Sequence, residues 1–495
     1  DGGTTGALST SSSGGTDVAT TAAATTGPGL SCGDGVVSPE LGEECDEGAQ
    51  NGEVCCSDTC AVATANVRAM AAGRRHACIA TCGGEIRCWG EGANGGLGTG
   101  DTQNWGDNDG ETIVSAAPVN FLGGDATRPV ELAAGDAFTC ARFDDGAVRC
   151  WGRNNYGQLG YGVNQTELLM APGDVSLGGA AERISANNDF VCALLEGGDV
   201  RCWGRATDGA LGLGDEQHIG NDELPSDVGP VPLGQPAIDV ATGWRHTCVA
   251  LEDGGARCWG LGNDGELGLG VGNVKIGDNE PITTVEPLTF EAAVVRVFAG
   301  TRTSCAALAS GALHCWGRNQ YGELGLGGAA TIGDDEPAAS TDTLVELGGA
   351  PVTVALGDTL SCAIVEGGQR LHCWGGEPSG ALGHGLTDGQ CFNLNAFTCN
   401  NSKCCIADEP EETPAAAPFN IVTAMRDVIV SDEHACALSI NQELHCWGNR
   451  GSGRLASGPT PGICVNGDGP QCRRHPDCCL GDDELADAAA SLTAY

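Results

Sequence analysis

The chain has 495 residues, 66 acidic against 24 basic side chains, and a formal net charge of −42, with Lys275 and Lys403 as its two lysines. Such a surface repels nucleic acid and anionic lipid and favours solubility, cations or basic partners. The 28 cysteines, as disulfides, place the chain outside a reducing cytosol, at the cell surface or beyond it. No stretch approaches the ~18 apolar residues that span a bilayer, and no basic then apolar leader opens the sequence, so the numbering is expected to start after a removed export signal.

Residues 1–30 are Gly, Ser, Thr and Ala with a few acids, too polar to bury a core of their own. Alone they read as a linker or stalk. An ordered tail of this composition must borrow contacts from another subunit, and Val18, Thr20, Ala22 and Ala24 alternate along a stretch suited to adding a donated strand to a sheet edge. A head-to-tail contact that does not close into a ring propagates as a fibre.

Residues 31–62 are a small cysteine-rich unit. From about residue 63 to Tyr495, one pattern recurs seven times: Cys, nine or ten residues, then Cys-Trp-Gly. The pairs are Cys78 and Cys88, Cys140 and Cys150, Cys192 and Cys202, Cys248 and Cys258, Cys305 and Cys315, Cys362 and Cys373, and Cys436 and Cys446. Repeats of this length mean a propeller or a solenoid. Between Cys248 and Cys258 an apolar run meets a polar turn at Asp253 and then a second run, which predicts a β-hairpin. Folding about Asp253 sets the two cysteines opposite each other, with Cα atoms about 4.5 Å apart, within disulfide reach. Each copy is expected to staple its own hairpin.

Successive repeat tryptophans are 62, 52, 56, 57, 58 and 73 residues apart, so the last interval holds an insertion. Residues 386–409 carry Cys391, Cys399, Cys404 and Cys405, and residues 459–484 carry Cys464, Cys472, Cys478 and Cys479. Both sets predict knuckle-like loops projecting from the sixth and seventh blades. The C-terminal stretch Ser491-Leu492-Thr493-Ala494-Tyr495 is expected to complete the blade begun near Val67 and so close the ring.

Two resemblances sharpen this reading. The apolar strand ending in Ala241-Thr242-Gly243, the stapled hairpin and the turn Asn319-Gln320-Tyr321-Gly322-Glu323-Leu324-Gly325 together resemble the regulator of chromosome condensation repeat family. That resemblance implies an all-β, seven-bladed propeller of four-stranded blades. Eukaryotic members lack the paired cysteines, so this chain looks like an export-adapted version, and a nuclear exchange-factor role is not carried over. The unit around Cys32, Cys45, Cys56 and Cys60 resembles a short four-cysteine repeat of secreted proteins in myxobacteria and relatives. Matching it leaves Cys55 and Cys82 over, and these two are expected to bond and bolt the unit onto the first blade.

Three candidate sites remain. Acidic clusters follow most repeat tryptophans, at Asp107 and Asp109, Asp222 and Glu223, Asp278 and Glu280, Asp334 and Asp335, and Asp482 and Asp483. Carboxylates clustered in Gly-containing loops suit calcium, although the spacing departs from an EF-hand; the competing reading is solvated turns whose carboxylates cap nearby amides. Before every second cysteine stands Arg87, Arg149, Arg201, Arg257, His314, His372 or His445. This reads as packing over the Trp or pairing with an acid, or as a basic ring for an anion. His76, His246 and His434 share a repeat position, but no nucleophile recurs with them, so no catalysis and no cofactor other than calcium is expected. The sequence reads first as a secreted structural protein assembling into a fibre through its tail, and alternatively as a protein- or glycan-binding propeller, an adhesin or an enzyme inhibitor, gripping its ligand on the loop face.

Overall fold

Each repeat folds because its hairpin registers around the paired cysteines. In the fourth repeat the strand His246–Leu251 pairs antiparallel with Ala256–Gly262, and Cys248 stands opposite Cys258. Their Cα atoms lie 4.1 Å apart and the sulfurs are bonded. A third strand, Ala237–Thr242, pairs on the other side of His246–Leu251, with a bulge between Ala237 and Asp239. The same arrangement, bulge included, recurs in all seven repeats. The structure, a computed structural model, describes residues 55–56, 63–108, 111–121, 127–339, 343–366, 370–377, 404–406, 424–432, 434–449, 479–480 and 491–493.

Among the described residues there are seven antiparallel sheets, one per repeat and each contiguous in sequence. The fold is a seven-bladed β-propeller. Its innermost strands are Val67–Ala72, Pro129–Ala134, Ala181–Asn187, Ala237–Thr242, Val294–Ala299, Pro351–Leu356 and Met425–Val430. The outermost strand of a blade comes in two pieces. One pairs with the Gly of Cys-Trp-Gly, as Ile276 does with Gly260 and Ile219 with Gly204. The other pairs with the start of the Cys-Trp-Gly strand, as Leu288 does with Ala256 and Leu344 with His314.

This division corrects the expected ring closure. Ser491–Thr493 pairs with Glu443, Leu444 and His445 of the seventh sheet, not with the blade of Val67. It stands where Leu288 and Leu344 stand in their own blades, so the last blade completes itself. The ring closes instead by packing, with Val67, Met70 and Ile79 against Leu438 and Leu444. Two hydrogen bonds cross the same seam: Val67 N donates to Gln442 Oε1 at 2.8 Å, and the Arg426 guanidinium donates to Val67 O at 2.7 Å. The inserts are also placed differently from projecting knuckles where they are described, because Cys404–Ile406 and Cys479–Leu480 are outer strands of blades six and seven.

What joins one blade to the next is the repeat tryptophan. All seven are fully buried. The Trp259 indole N–H donates at 3.0 Å to Ala210 O, in the Gly-rich turn of the preceding blade. Thr247 Oγ1 donates to the same carbonyl at 3.0 Å. Trp151, Trp203, Trp316 and Trp374 repeat the indole contact on Gly96, Gln158, Glu266 and Glu323. The turn must be glycine where the indole arrives: at Gly212, φ is +72° and a Cβ would sit 2.5 Å from Trp259 Nε1. The turn holds itself with its own side chains, since Asn154 Oδ1 accepts from Leu159 N and Gln158 Oε1 accepts from Tyr156 N. Beside each indole lies a disulfide closing ten or eleven residues, each worth about 2 to 3 kcal/mol in a loop-entropy account.

Two measurements check this packing. Trp259→Phe is expected to destabilise by about 2 kcal/mol, through the lost donor and lost volume. Adding Thr247→Val strips the Ala210 carbonyl of its second donor, so the double variant should lose more than the sum of the singles in denaturant titrations. His246 is fully buried with Nε2 2.9 Å from Ser304 Oγ on the next blade, and burial pushes its pKa down to about 4. A depressed histidine contributes stability that is present above pH 6.5 and lost as pH falls towards 4. Relative to wild type, His246→Gln should therefore gain about 3 kcal/mol between pH 7 and pH 4. Comparing the two proteins cancels groups of opposite sign such as Glu266, whose carboxyl burial pushes up to about 7.

Candidate functional site

The innermost strands surround a central channel of about 510 Å³. The residue just after each bulge occupies one equivalent position per blade, reading Ala69, Glu131, Arg183, Asp239, Arg296, Thr353 and Asp427 around the ring. Charges therefore alternate over four consecutive blades. Arg183 Nε lies 3.0 Å from Asp239 Oδ1 and 3.8 Å from Glu131 Oε1. Arg296 approaches Asp239 from the other side at 3.9 Å, and Arg142 Nε meets Glu131 at 2.8 Å. The acids also reach the neighbouring backbone, where Ile184 N donates to Glu131 and Val297 N donates to Asp239. Burial pushes both carboxyls upward in pKa, opposed by these guanidiniums.

At one mouth of the channel, the turns after the innermost strands present Arg74, Asp136, Asn188, Trp244, Thr301, Asp358 and Asp432. Arg74 bridges Asp136 at 3.7 Å and Asp432 at 3.2 Å. Arg153 reaches Asp136 at 2.7 Å and buried Asp189 at 2.9 Å. Trp244 is half-buried here, with the Arg245 guanidinium 4.1 Å and that of Arg302 5.8 Å from its ring centre. The chain is strongly acidic, yet Arg74, Arg75, Arg153, Arg205, Arg245 and Arg302 all gather on this face. Most are paired with carboxylates, as Arg245 is with Asp208 and Arg302 with Asp264.

The residues singled out by sequence fall elsewhere. The seven cysteine pairs are bonded within blades, and Cys55 is bonded to Cys82, joining Cys55 to the first hairpin; the rest of the cysteine-rich unit except Cys56 lies outside the described residues. Asp107 is exposed and accepts from Asn104 Nδ2 and Asn108 Nδ2. Nearby Glu111 accepts from Gly106 N and Asn108 N. Glu280 caps Gly277 N and Asn279 N beside Asp278, which is a turn-capping role. Burial and the adjacent Asp222 push the Glu223 carboxyl up to about 7. Among the described residues, one group of three carboxylates comes together: Asp334, Asp335 and Glu336, with oxygens within 4.8 Å of one another. Asp109, Asp482, Asp483, Val18, Thr20, Ala22 and Ala24 lie outside the described residues.

The basic residues before the second cysteines do not form a ring. Arg87, Arg149, Arg201, Arg257 and His314 are each committed to a crossing segment at the outer edge rather than to the Trp. Arg257 donates to Ile282 O at 2.9 Å and to Val285 O, and Arg201 does the same to Pro225 O and Val228 O. Arg149 pairs with Asp174 at 2.6 Å and packs over Phe143, while His314 stands between Thr343 and Glu291. His76 lies against Thr139 of the next blade as His246 lies against Ser304, a seam contact. The charge ring and Trp244 were not anticipated. Trp244 carried one signal, being with Trp105 one of two tryptophans outside the repeat.

A family model described as the RCC1-like domain matches residues 28–393. The ultraviolet-B receptor UVR8 of Arabidopsis thaliana is 30% identical over 245 residues, covering 50% of this chain and 51% of the receptor. The human E3 ubiquitin-protein ligase HERC2 is 30% identical over 204 residues, covering 41% of this chain and 4% of the ligase. The chain thus spans about half the length of the first and a small part of the second. Among solved structures, yeast RCC1 (Prp20) bound by Kap60 superposes with a TM-score of 0.58 at 21% identity, covering 75% of this chain and 80% of that one. Human WBSCR16 superposes with a TM-score of 0.56 at 18% identity, covering 76% and 86%. At these identities the superpositions establish the fold. No helix among the described residues is long and apolar enough to cross a membrane.

Asp239 holds the charge ring together, so Asp239→Asn is expected to leave Arg183 and Arg296 short of a counter-charge. A broken buried pair costs about 3 to 5 kcal/mol. Both guanidiniums are about a third exposed, which lowers the expected loss to roughly 2 kcal/mol in denaturant titrations at pH 7.

Proposed function

Because the chain belongs to the RCC1-like domain family, we infer that it is a non-catalytic binding module, stapled for work outside a reducing cytosol, that holds a protein ligand against the channel mouth where Trp244 stands. The observation carrying this reading is Trp244 itself. A half-buried indole flanked by the guanidiniums of Arg245 and Arg302 has the composition of an interface hot spot, in which aromatic and Arg side chains dominate the binding energy. The surrounding arginines are preorganised by their carboxylate partners, so a ligand would meet a surface already fixed in place, which lowers the ordering cost of association. Yeast RCC1 (Prp20) is bound by Kap60 and has binding properties to Gsp1p and histones; for this chain this relative supports a protein ligand in kind and not those partners in particular. Dense disulfides support an oxidising environment, at the cell surface or outside the cell.

Immobilised protein presented with extracellular proteins of its source should retain a ligand in stoichiometric amount, and Trp244→Ala should retain at least tenfold less while unfolding at an unchanged temperature. Equal retention by Trp244→Ala would move the ligand off this face. Filaments in particle images of the purified protein, with no ligand retained, would favour assembly into a fibre instead.

A further inference from the structure

The charge ring lacks one member. Arg183, on the third blade, reaches forward to the carboxylate at the equivalent position of the fourth, Asp239, at 3.0 Å. The sixth and seventh blades stand in the same relation, and there the positions hold Thr353 and Asp427. Threonine cannot supply the cation. Asp427 is the one ring carboxylate without an ion pair among the described residues; its Oδ1 accepts from Val428 N at 2.9 Å.

The charged groups on the strands around it are spent elsewhere. Arg426, on the same strand, turns its guanidinium to the carbonyls of Val67 and Arg68 across the seam. Arg296, two blades back, approaches Asp239. The innermost strand of blade six, Pro351–Leu356, carries no charge, and that of blade one, Val67–Ala72, carries Arg68. Asp427 lines the channel with a small residue at the ring position on either side, Thr353 and Ala69. Burial pushes its carboxyl up to about 6, against the pull of Arg426 and Arg296. A half-buried carboxylate in the channel wall without a counter-ion among the described residues is an arrangement that a bound cation stabilises.

We propose that the central channel binds a guanidinium group on an unbranched chain, seated where Thr353 leaves the ring open and paired with Asp427. The ring itself argues for guanidinium: Glu131 and Asp239 are each met by arginine and by no lysine. The planar fork makes two parallel hydrogen bonds to a carboxylate, which a compact ammonium does not. Small neighbours admit a slim cation and exclude a bulky one. The site does not depend on the docking face around Trp244, so it stands or falls separately from the protein ligand.

Isothermal titration of the full chain at pH 7.5 tests it, with n-butylguanidinium and with a blocked Gly-Gly-Arg-Gly-Gly peptide as probes. Saturable one-to-one binding of n-butylguanidinium is expected, at least tenfold weaker at pH 5, in Asp427→Asn, and in Thr353→Arg, which fills the gap with the chain's own guanidinium. Binding of the peptide as well assigns the site to an arginine side chain of a partner; binding of the small probe alone assigns it to a free alkylguanidine. Unchanged binding in Asp427→Asn or Thr353→Arg, no binding of either probe, or equal binding of n-butyltrimethylammonium would overturn the proposal. The Thr353 variant keeps the test decisive should Asp427→Asn fail to fold.

Discussion

Five described blades are each held to the preceding one by a buried indole N–H reaching back to a carbonyl in its Gly-rich turn, and most of the remaining architecture serves that bond. The turn needs glycines so that the indole can arrive, as at Gly212 beneath Trp259. It needs Asn154 and Gln158, or their equivalents, to satisfy its own amides so that the carbonyl stays aimed outward. A hydroxyl on the second strand, Thr247 or Ser304, shares the same acceptor. The disulfide beside the indole fixes the strand that carries it. An interior filled largely by Ala, Leu, Cys, Val and one Trp per blade is thus ordered by a repeated polar contact as much as by apolar area.

The channel follows from that arrangement. With blades joined through their middles, the innermost strands are free to carry different residues at each equivalent position, and the ring after the bulges uses this freedom for charge. Its acids and arginines are linked across blade boundaries by pairs such as Arg183 with Asp239 and by carboxylates capping the next blade's backbone at Ile184 and Val297. These pairs help fix how adjacent blades meet, because an arginine facing an arginine with no acid between them would be unfavourable.

Hairpins, cysteine register and the signature turn were legible in the sequence because each is local and repeated: Cys248 and Cys258 lie ten residues apart, and the turn at Asn319 satisfies its own amides. The charge ring was not legible. Its members, Ala69, Glu131, Arg183, Asp239, Arg296, Thr353 and Asp427, differ from blade to blade, and partners lie more than fifty residues apart, so no periodic signal marks them. The residues before the second cysteines were visible as a pattern, but their partners, carbonyls such as Ile282 O and Val285 O, sit in irregular segments that spacing does not locate. The blade of the C-terminal strand was not legible because the outer edge is built from two separated pieces, and Ser491–Thr493 takes within the seventh blade the place that Leu344 takes in the fifth.

The staples also bear on how the chain can be oxidised. Twenty-eight cysteines admit an enormous number of pairings, and a chain sampling them at random would be trapped in scrambled forms. Here each of the seven repeated bonds closes only ten or eleven residues, and a loop of that length meets its own end in about 10 to 100 ns. The next repeat follows some fifty to seventy residues later, so a cysteine of another blade closes a much longer loop. Native pairing is therefore favoured by proximity, since each repeat cysteine meets its own hairpin partner far more often than any cysteine of another blade, and disulfide isomerisation is left mainly to the cysteines that stand outside the repeat.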